Sequence, residues 1–256
     1  MQPARSFQDL IVWRKAHALV LPPVSCLPLM PTPRTALVIM ARHPTVGEVK
    51  TRLANEIGAE RACALYTAFL RDFDARFARA ARTLVWAFHP PERDFAAVVS
   101  AGSRCLPQEG ADLGARMLAC FRRLRGEGFG RVIVIGADVP HVRDEWLDEA
   151  EAALDRADVV LGPSEDGGYY LIAMRATHDV FSGIEMSTDA VLEETLARAA
   201  RANLRVHLLP PTFDIDEAAD LARLRDLLRQ EEWRRRLPHT TAVLFPPPLP
   251  QATGEG

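Results

Sequence analysis

Short apolar segments with strand-forming residues recur along this chain, and segments with helical spacing separate them. Six segments of this kind lie at Thr35–Met40, Thr83–Phe88, Arg131–Gly136, Asp158–Gly162, Tyr169–Met174 and Leu204–Leu209. Nearly continuous apolar runs of this length are typical of strands buried on both faces of a parallel or mixed sheet. Helical spacing lies between them, near residues 60–80, 112–126, 144–155, 188–202 and 217–230. The alternation predicts an α/β fold of three layers with a mostly parallel mixed sheet.

The charge balance excludes several classes of partner. The 256 residues carry 31 basic and 34 acidic side chains, a net charge of −3, so we expect no nucleic-acid partner and no binding to an anionic membrane. No apolar run approaches the ~20 residues that span a bilayer. The four cysteines show no metal-ligand spacing, which favours reduced thiols and a cytoplasmic protein. The sequence leaves the oligomeric state open.

Three regions follow from the pattern. Residues 1–33 do not share the strand and helix alternation, and we interpret them as an N-terminal extension, with Met30 as an alternative start. Residues 34–235 form the predicted catalytic domain. Residues 236–256, with four prolines between 246 and 250, are predicted to be a flexible tail.

A cationic loop follows the first predicted strand. Ligands of open α/β sheets bind at the carboxyl ends of the strands, so residues just after each strand are the candidates. Arg42, Lys50 and Arg52 lie here in a Pro- and Gly-containing segment that can surround a diphosphate or triphosphate with positive charge. A solvated basic loop is the alternative. The segment matches neither a Walker A motif nor a dinucleotide-binding glycine motif.

Acidic residues follow three other predicted strands. Asp138 is either a helix cap or an oxygen ligand for Mg²⁺, and Asp216 is explained sufficiently as the N-cap of the last predicted helix. Asp166 precedes Gly167 and Gly168, where missing side chains let a ligand approach the backbone. A hairpin turn is the alternative for this segment.

Five motifs in a fixed order give the chain a family resemblance. They read ARHPTVGEVKTRL, GADLGARM, GADVP, EDGGYYL and DIDEAADL, and they span nearly the whole predicted domain. In this order they resemble the DUF2064 proteins of the GT-A, or nucleotide-diphospho-sugar transferase, superfamily, which are often described as glycosyltransferases. More distantly the chain is similar to 2-phospho-lactate guanylyltransferases and to molybdenum-cofactor nucleotidyltransferases.

The resemblance implies a GT-A fold and a role for each motif. It places Arg42, Lys50 and Arg52 in the phosphate-binding loop, and it makes Asp138 and Asp216 the ligands of Mg²⁺ or Mn²⁺. The implied activity is transfer from a nucleotide or nucleotide-sugar donor to a small-molecule acceptor. Catalysis would then fall to Lys50 and Asp138. Asp166, near the expected position of an acceptor hydroxyl, is our third catalytic candidate, either as a general base or as a hydrogen-bond partner.

The chain also departs from the family pattern. Ala137 and Val139 replace a usual Thr and Cys, and Met186 stands where a Trp is usual, whereas the residues of the phosphate and metal chemistry are retained. Two reactions remain open. A single aspartate after the third predicted strand and the loop lysine favour nucleotidyl transfer, and the family's customary description favours glycosyl transfer. A non-catalytic nucleotide-binding module is the third hypothesis.

Overall fold

The computed structural model describes residues 33–246, and within them one seven-stranded sheet forms the centre of the fold. Its strands are β1 Thr35–Arg42, β2 Thr83–His89, β3 Arg104–Pro107, β4 Arg131–Gly136, β5 Val159–Pro163, β6 Tyr169–Met174 and β7 Val206–Leu208. The strand order is β3-β2-β1-β4-β6-β5-β7. Every pairing is parallel except those of β6, which runs antiparallel to both β4 and β5.

Eight α-helices accompany the sheet within the described residues. They are α1 Thr51–Ile57, α2 Ala59–Phe77, α3 Leu113–Gly126, α4 Asp144–Ala153, α5 Val191–Arg201, α6 Ala218–Leu227, α7 Glu231–Arg236 and α8 Pro238–Leu244. The predicted α/β fold with a mostly parallel mixed sheet is therefore confirmed.

Side-chain alternation along the strands divides the core into two layers. In β1, Leu37 and Ile39 join the cluster that packs under α1, α2, α4 and α6, while Ala36 and Val38 join the cluster under α3 and α5. Successive residues of a strand point to opposite faces, so a continuous apolar run is the sequence a doubly covered strand requires. This is the physical reason that the apolar runs identified six of the strands correctly.

One strand and three helices were missed from the sequence. Strand β3 has only four residues and pairs with β2 at one edge of the sheet, so it shows too little apolar pattern to be recognised. Helices α1, α7 and α8 have six or seven residues each, which is under two full turns of amphipathic spacing.

The predicted boundary at residue 235 was wrong. The chain continues into α7 and α8, and the backbone N–H groups of His239 and Thr240 donate to the buried carboxylate of Asp72 in α2, each at 2.9 Å. The Thr240 hydroxyl donates to the same carboxylate at 2.6 Å. Residues 236–246 therefore belong to the folded domain, because α2 supplies the cap that the start of α8 lacks locally.

Two further predictions lie outside the described residues. These are the N-terminal extension up to residue 32 and the Pro-rich part of the tail from residue 247 onward. Among the described helices, none combines the length and the apolar character needed to cross a membrane. Cys63, Cys105 and Cys120 are free thiols, two of them buried.

Candidate active site

The predicted site residues of two loops meet at one edge of the sheet. Strands β1 and β4 are parallel neighbours, with Met40 opposite Gly136, so the segments that follow them leave the sheet side by side. Lys50 lies in the first segment, and Asp138 lies in the second. Adjacent parallel strands thus bring together residues that are 88 positions apart in the chain.

Lys50 is the centre of the site. Its ammonium group bonds to the carboxylate of Asp138 and, at 2.9 Å, to Oδ1 of Asp216. The lysine side chain is only 3% exposed, whereas those of Asp138 and Asp216 are 46% and 42% exposed. Burial alone lowers the pKa of Lys50, but the two carboxylates and their hydrogen bonds raise it above its ordinary value, so the lysine stays charged.

The backbone of Lys50 adopts a left-handed conformation, with φ 48° and ψ 45°, directly before α1. This region is sparsely populated by residues other than glycine and asparagine. The conformation ends the loop after β1 and starts the helix at Thr51. The surrounding fold therefore holds the lysine in a costly backbone state while its side chain lies between the two aspartates.

The second aspartate reaches the site because two loops pair along their backbones. The N–H of Ile215 donates to the carbonyl of Asp138 at 3.0 Å, which places Asp216 next to the segment after β4. The imidazole of His141 contacts the hydroxyl of Thr212 at 3.1 Å and ties the same two loops together. The pair Asp138 and Asp216 is therefore a product of loop–loop contact.

Neither aspartate caps a helix. Helix α6 begins with Glu217 as its N-cap, in a capping box with Asp220, so the structural role proposed for Asp216 is filled by its neighbour. Helix α4 begins at Asp144, six residues after Asp138, and Arg143 is at its N-cap position. The capping alternative for both residues is therefore wrong.

Arg76 of α2 fixes the loop that carries Asp138. Its guanidinium donates to the carbonyl groups of Pro140 and Val142, at 2.8 and 2.7 Å, and to Oδ1 of Asp144 at 2.9 Å. The loop carbonyls of 140 and 142 thus have a charged donor in a largely buried position. Arg76 therefore holds the loop in place through contacts that do not involve Lys50, Asp138 or Asp216.

Two cavities meet at the ion cluster formed by Lys50, Asp138 and Asp216, which we name the Lys50 cluster. The smaller one, which we name the cationic chamber, has a volume of about 220 Å³ and is lined by Arg42, Lys50, Arg52 and Tyr66 together with both aspartates. The hydroxyl of the buried Tyr66 accepts the backbone N–H of Arg42 at 2.9 Å. Burial, and next the carboxylate of Asp138, raises the pKa of Tyr66. Tyr66 was missed from the sequence because it lies within an ordinary helical pattern.

The larger cavity, which we name the acceptor chamber, has a volume of about 460 Å³ and shares Arg52, Asp138 and Asp216 with the cationic chamber. Its apolar wall includes Met40, Leu113, Met117, Tyr169 and Met186. Met186, which stands where the family usually has Trp, therefore lines the site. Asp112, at the start of α3, accepts the N–H of Ala115 at 2.8 Å and caps this helix.

The Asp-Gly-Gly segment forms the turn between β5 and β6. Asp166 lines the acceptor chamber, and its Oδ1 accepts the N–H of Gly168 at 3.0 Å. Gly168 lines the chamber, whereas Gly167 is not among its lining residues. A side chain on Gly167, at φ 87°, would collide with the backbone of Asp189. Gly167 therefore serves the packing of the turn.

Asp214 is a site residue that the sequence did not single out. It lines the acceptor chamber, and its Oδ2 accepts the Ser164 hydroxyl at 2.7 Å. Burial raises the pKa of Asp214 to about 7, against the opposing effect of that hydrogen bond. The carboxylates of Asp138, Asp166 and Asp216 raise it further. The sequence did contain a signal for Asp214. It lies two residues before Asp216, and residues two apart in an extended segment point to the same side.

The two aspartates suit a hard divalent cation. Asp138 and Asp216 both bond to one ammonium group, so their oxygens converge on one point. Magnesium is commonly bound by one or two carboxylates together with substrate phosphates, and this donor set fits that pattern. Within residues 33–246, no three His, Cys, Asp or Glu side chains have the arrangement of a complete protein-only metal site.

Comparisons with known proteins agree with the fold and with the motif order. A family described as "Uncharacterized protein conserved in bacteria (DUF2064)" matches residues 70–188. The chain is similar to the crystal structure of a candidate nucleotide-diphospho-sugar transferase from Desulfovibrio desulfuricans G20. The identity is 32% and the TM-score 0.77, over 82% of this chain and 93% of that one. No curated protein matches the chain significantly.

A more remote similarity concerns the fold alone. The 4-diphosphocytidyl-2C-methyl-D-erythritol synthase from Anaerococcus prevotii DSM 20548 has 11% identity and a TM-score of 0.50, over 78% of this chain and all of that one.

Proposed function

Because the chain belongs to the DUF2064 family and has the fold of the nucleotide-diphospho-sugar transferases, we propose that it is a metal-dependent transferase that uses a nucleotide-activated donor. One observation carries the proposal. A buried lysine and two converging carboxylates lie where a cationic chamber and an acceptor chamber meet. This arrangement allows donor phosphates on one side to face an acceptor on the other.

The cationic chamber would hold the donor phosphates. Arg42, Lys50 and Arg52 line it, and guanidinium and ammonium groups bind phosphate oxygens through charge-assisted hydrogen bonds. Charge builds up on the departing phosphate as its bond to the transferred group breaks, and fixed cations stabilise that charge. Asp138 and Asp216 would hold Mg²⁺ or Mn²⁺, which would disperse the same charge.

The acceptor chamber would position the attacking group. Asp166 is held by its hydrogen bond to Gly168, and it is our candidate for the general base that takes the proton of an acceptor hydroxyl. Five aspartates and one arginine, Arg52, are the charged residues that line this chamber. Such a lining favours a neutral polyhydroxyl or a cationic acceptor over a phosphorylated one, because an anion would face net negative charge.

Nucleotidyl transfer from a nucleoside triphosphate is the reaction that the geometry favours. The second carboxylate of the cluster comes from Asp216, in a separate loop, and Asp138 is the only aspartate of the loop 137–143 that follows β4. The lysine between them borders the chamber that the phosphates would occupy. Glycosyl transfer from a nucleotide-sugar is the second candidate, favoured by the 32% identity to the candidate nucleotide-diphospho-sugar transferase.

The released product separates the two reactions. The purified protein is incubated with Mg²⁺, a panel of polyhydroxyl and amine acceptors, and either the four nucleoside triphosphates or a set of nucleotide-sugars. Nucleotidyl transfer releases pyrophosphate, and glycosyl transfer releases a nucleoside diphosphate. Nucleotide binding that depends on Mg²⁺, with neither product across the panel, would support the non-catalytic binding module and contradict the transferase proposal.

A further inference from the structure

The ammonium group of Lys50 lies where the carboxylates of Asp138 and Asp216 converge. We propose that the lysine ammonium substitutes for the metal ion in the nucleotide-free protein, and that it must leave the two carboxylates before a metal binds there. The inference rests on the proposed function, because it takes Asp138 and Asp216 as the metal ligands. It adds a device that controls when the metal site forms.

The contacts of Lys50 support this role. Its ammonium bonds to both Asp138 and Asp216, and its side chain is 3% exposed, so the charge is neutralised inside the protein. A divalent cation bound to the same two carboxylates would lie beside the ammonium and would be repelled by it at short range. The lysine therefore competes with the metal for one pair of ligands.

The cationic chamber gives the lysine an alternative partner. Lys50 lines this chamber together with Arg42 and Arg52, and the chamber also borders both aspartates. A donor phosphate in the chamber offers the ammonium new acceptors within reach of its flexible stem. Transfer of the ammonium from carboxylate to phosphate would leave the aspartates free for the metal.

A consequence for binding order follows. Phosphate favours withdrawal of Lys50, and withdrawal of Lys50 favours the metal, so the two ligands bind with positive coupling. The nucleotide-free protein then binds metal weakly. Its two carboxylates are not left unpaired, because the ammonium group of Lys50 bonds to both. Metal-dependent chemistry becomes restricted to protein that already holds a donor.

Substitution of Lys50 tests the competition directly. We expect Lys50→Met to bind Mn²⁺ at least tenfold more tightly than the wild type, measured by electron paramagnetic resonance without any nucleotide. The double variant Lys50→Met with Asp138→Asn should lose this gain, which assigns the metal to the cluster. Lys50→Gln, which keeps a hydrogen-bond donor near the carboxylates but removes the charge, provides the same test if Lys50→Met does not fold.

Arg82 offers a matched control. Its largely buried guanidinium also bridges two carboxylates, those of Asp148 and Glu151, at 2.5 and 2.8 Å. Arg82 directly precedes β2, so it lies at the amino ends of the parallel strands, whereas the site lies at their carboxyl ends. We expect Arg82→Met to leave Mn²⁺ affinity unchanged. Equal Mn²⁺ affinity in the wild type and both Lys50 variants would contradict the proposed competition between lysine and metal, but it would not contradict the metal site. Absence of Mn²⁺ binding in all of them would contradict the metal site itself, and with it the proposed metal dependence.

Discussion

Asp138 and Asp216 show how a residue's role depends on neighbours that the sequence does not reveal. Both are followed by helices, and a cap was a sufficient explanation for Asp216. The structure gives the capping positions to Arg143 and Glu217 and directs both aspartates to the ammonium of Lys50. A buried cation needs a carboxylate partner, and this constrains the two aspartates more strongly than helix capping does.

The first prediction concerns Asp138→Asn. The amide keeps the size of the side chain but removes the charge that a hard cation needs, so we expect turnover to fall on the order of 10²-fold. Stability should change by less than about 1 kcal/mol, because Asp138 is nearly half exposed and Lys50 keeps Asp216 as a partner. Calorimetric titration of nucleotide at several Mg²⁺ concentrations should show that the Mg²⁺ dependence is lost.

Asp112→Asn is the matched control for this variant. Asp112 lies at the start of α3 and acts as an N-cap, and asparagine caps about as well as aspartate. We expect unchanged turnover and Mg²⁺ dependence. If Asp138→Asn behaves like this control, Asp138 is not a metal ligand.

The second prediction concerns Asp214 and pH. Its pKa in the folded protein is about 7, above the value of roughly 3.9 in an unfolded chain, so the unfolded state releases this proton first as pH rises. Asp214 therefore costs stability increasingly between about pH 4 and 7. Asp214→Asn removes this cost, and the amide oxygen still accepts the Ser164 hydroxyl.

Denaturant unfolding with a chelator present measures this effect. We expect Asp214→Asn to be more stable than the wild type above pH 7, on the order of 1–2 kcal/mol after screening by solvent. The difference should shrink as pH falls toward 4. A difference that stays constant with pH would show that the carboxyl group does not titrate in this range in the folded protein.

At the scale of elements, α8 shows that a short helix can be stable only in its tertiary context. Its seven residues are too few for an independent helix, and its first N–H groups have no cap in the local sequence. Asp72, 168 positions before Thr240, accepts those N–H groups from within α2. The sequence analysis missed this helix because the prolines that follow it led us to assign residues 236–256 to one flexible tail.

The third prediction tests this packing by truncation. We expect removal of residues 238–256 to cost about 2–4 kcal/mol of unfolding free energy, because the buried Asp72 carboxylate loses three hydrogen bonds and α2 loses its cover. Removal of residues 247–256 alone is the control and should be nearly neutral. Thermal and denaturant unfolding of the two truncated proteins against the full chain measure the difference. Equal stability of all three would show that α8 contributes nothing.

At the scale of the whole molecule, the sheet topology creates the site. The parallel neighbours β1 and β4 bring the cationic loop beside Asp138, and the antiparallel β6 returns the chain so that the turn with Asp166 reaches the same edge. Loops that carry Asp214 and Asp216 close the remaining side. These segments, together with the one that carries Asp189, contribute charged groups to two adjoining chambers.

The fourth prediction concerns the N-terminal extension. Residues 1–29 do not share the α/β pattern, so we expect a protein that starts at Met30 to fold cooperatively and to bind nucleotide as the full chain does. Melting curves with and without nucleotide and Mg²⁺ compare the two proteins, because specific ligand binding raises the melting temperature. Insoluble or non-cooperatively unfolding protein from Met30 would assign a structural role to the extension.

The sequence by itself determined six of the seven described strands, the longer helices and the order of the motifs, because doubly buried strands and amphipathic helices carry their burial pattern in local residue types. It also singled out Lys50, Asp138 and Asp216. Only the tertiary structure decided that these three form one ion cluster, that Gly167 packs on Asp189 and that Asp72 caps α8. Those contacts join residues far apart in the chain, and long-range pairing leaves no periodic signal in a single sequence.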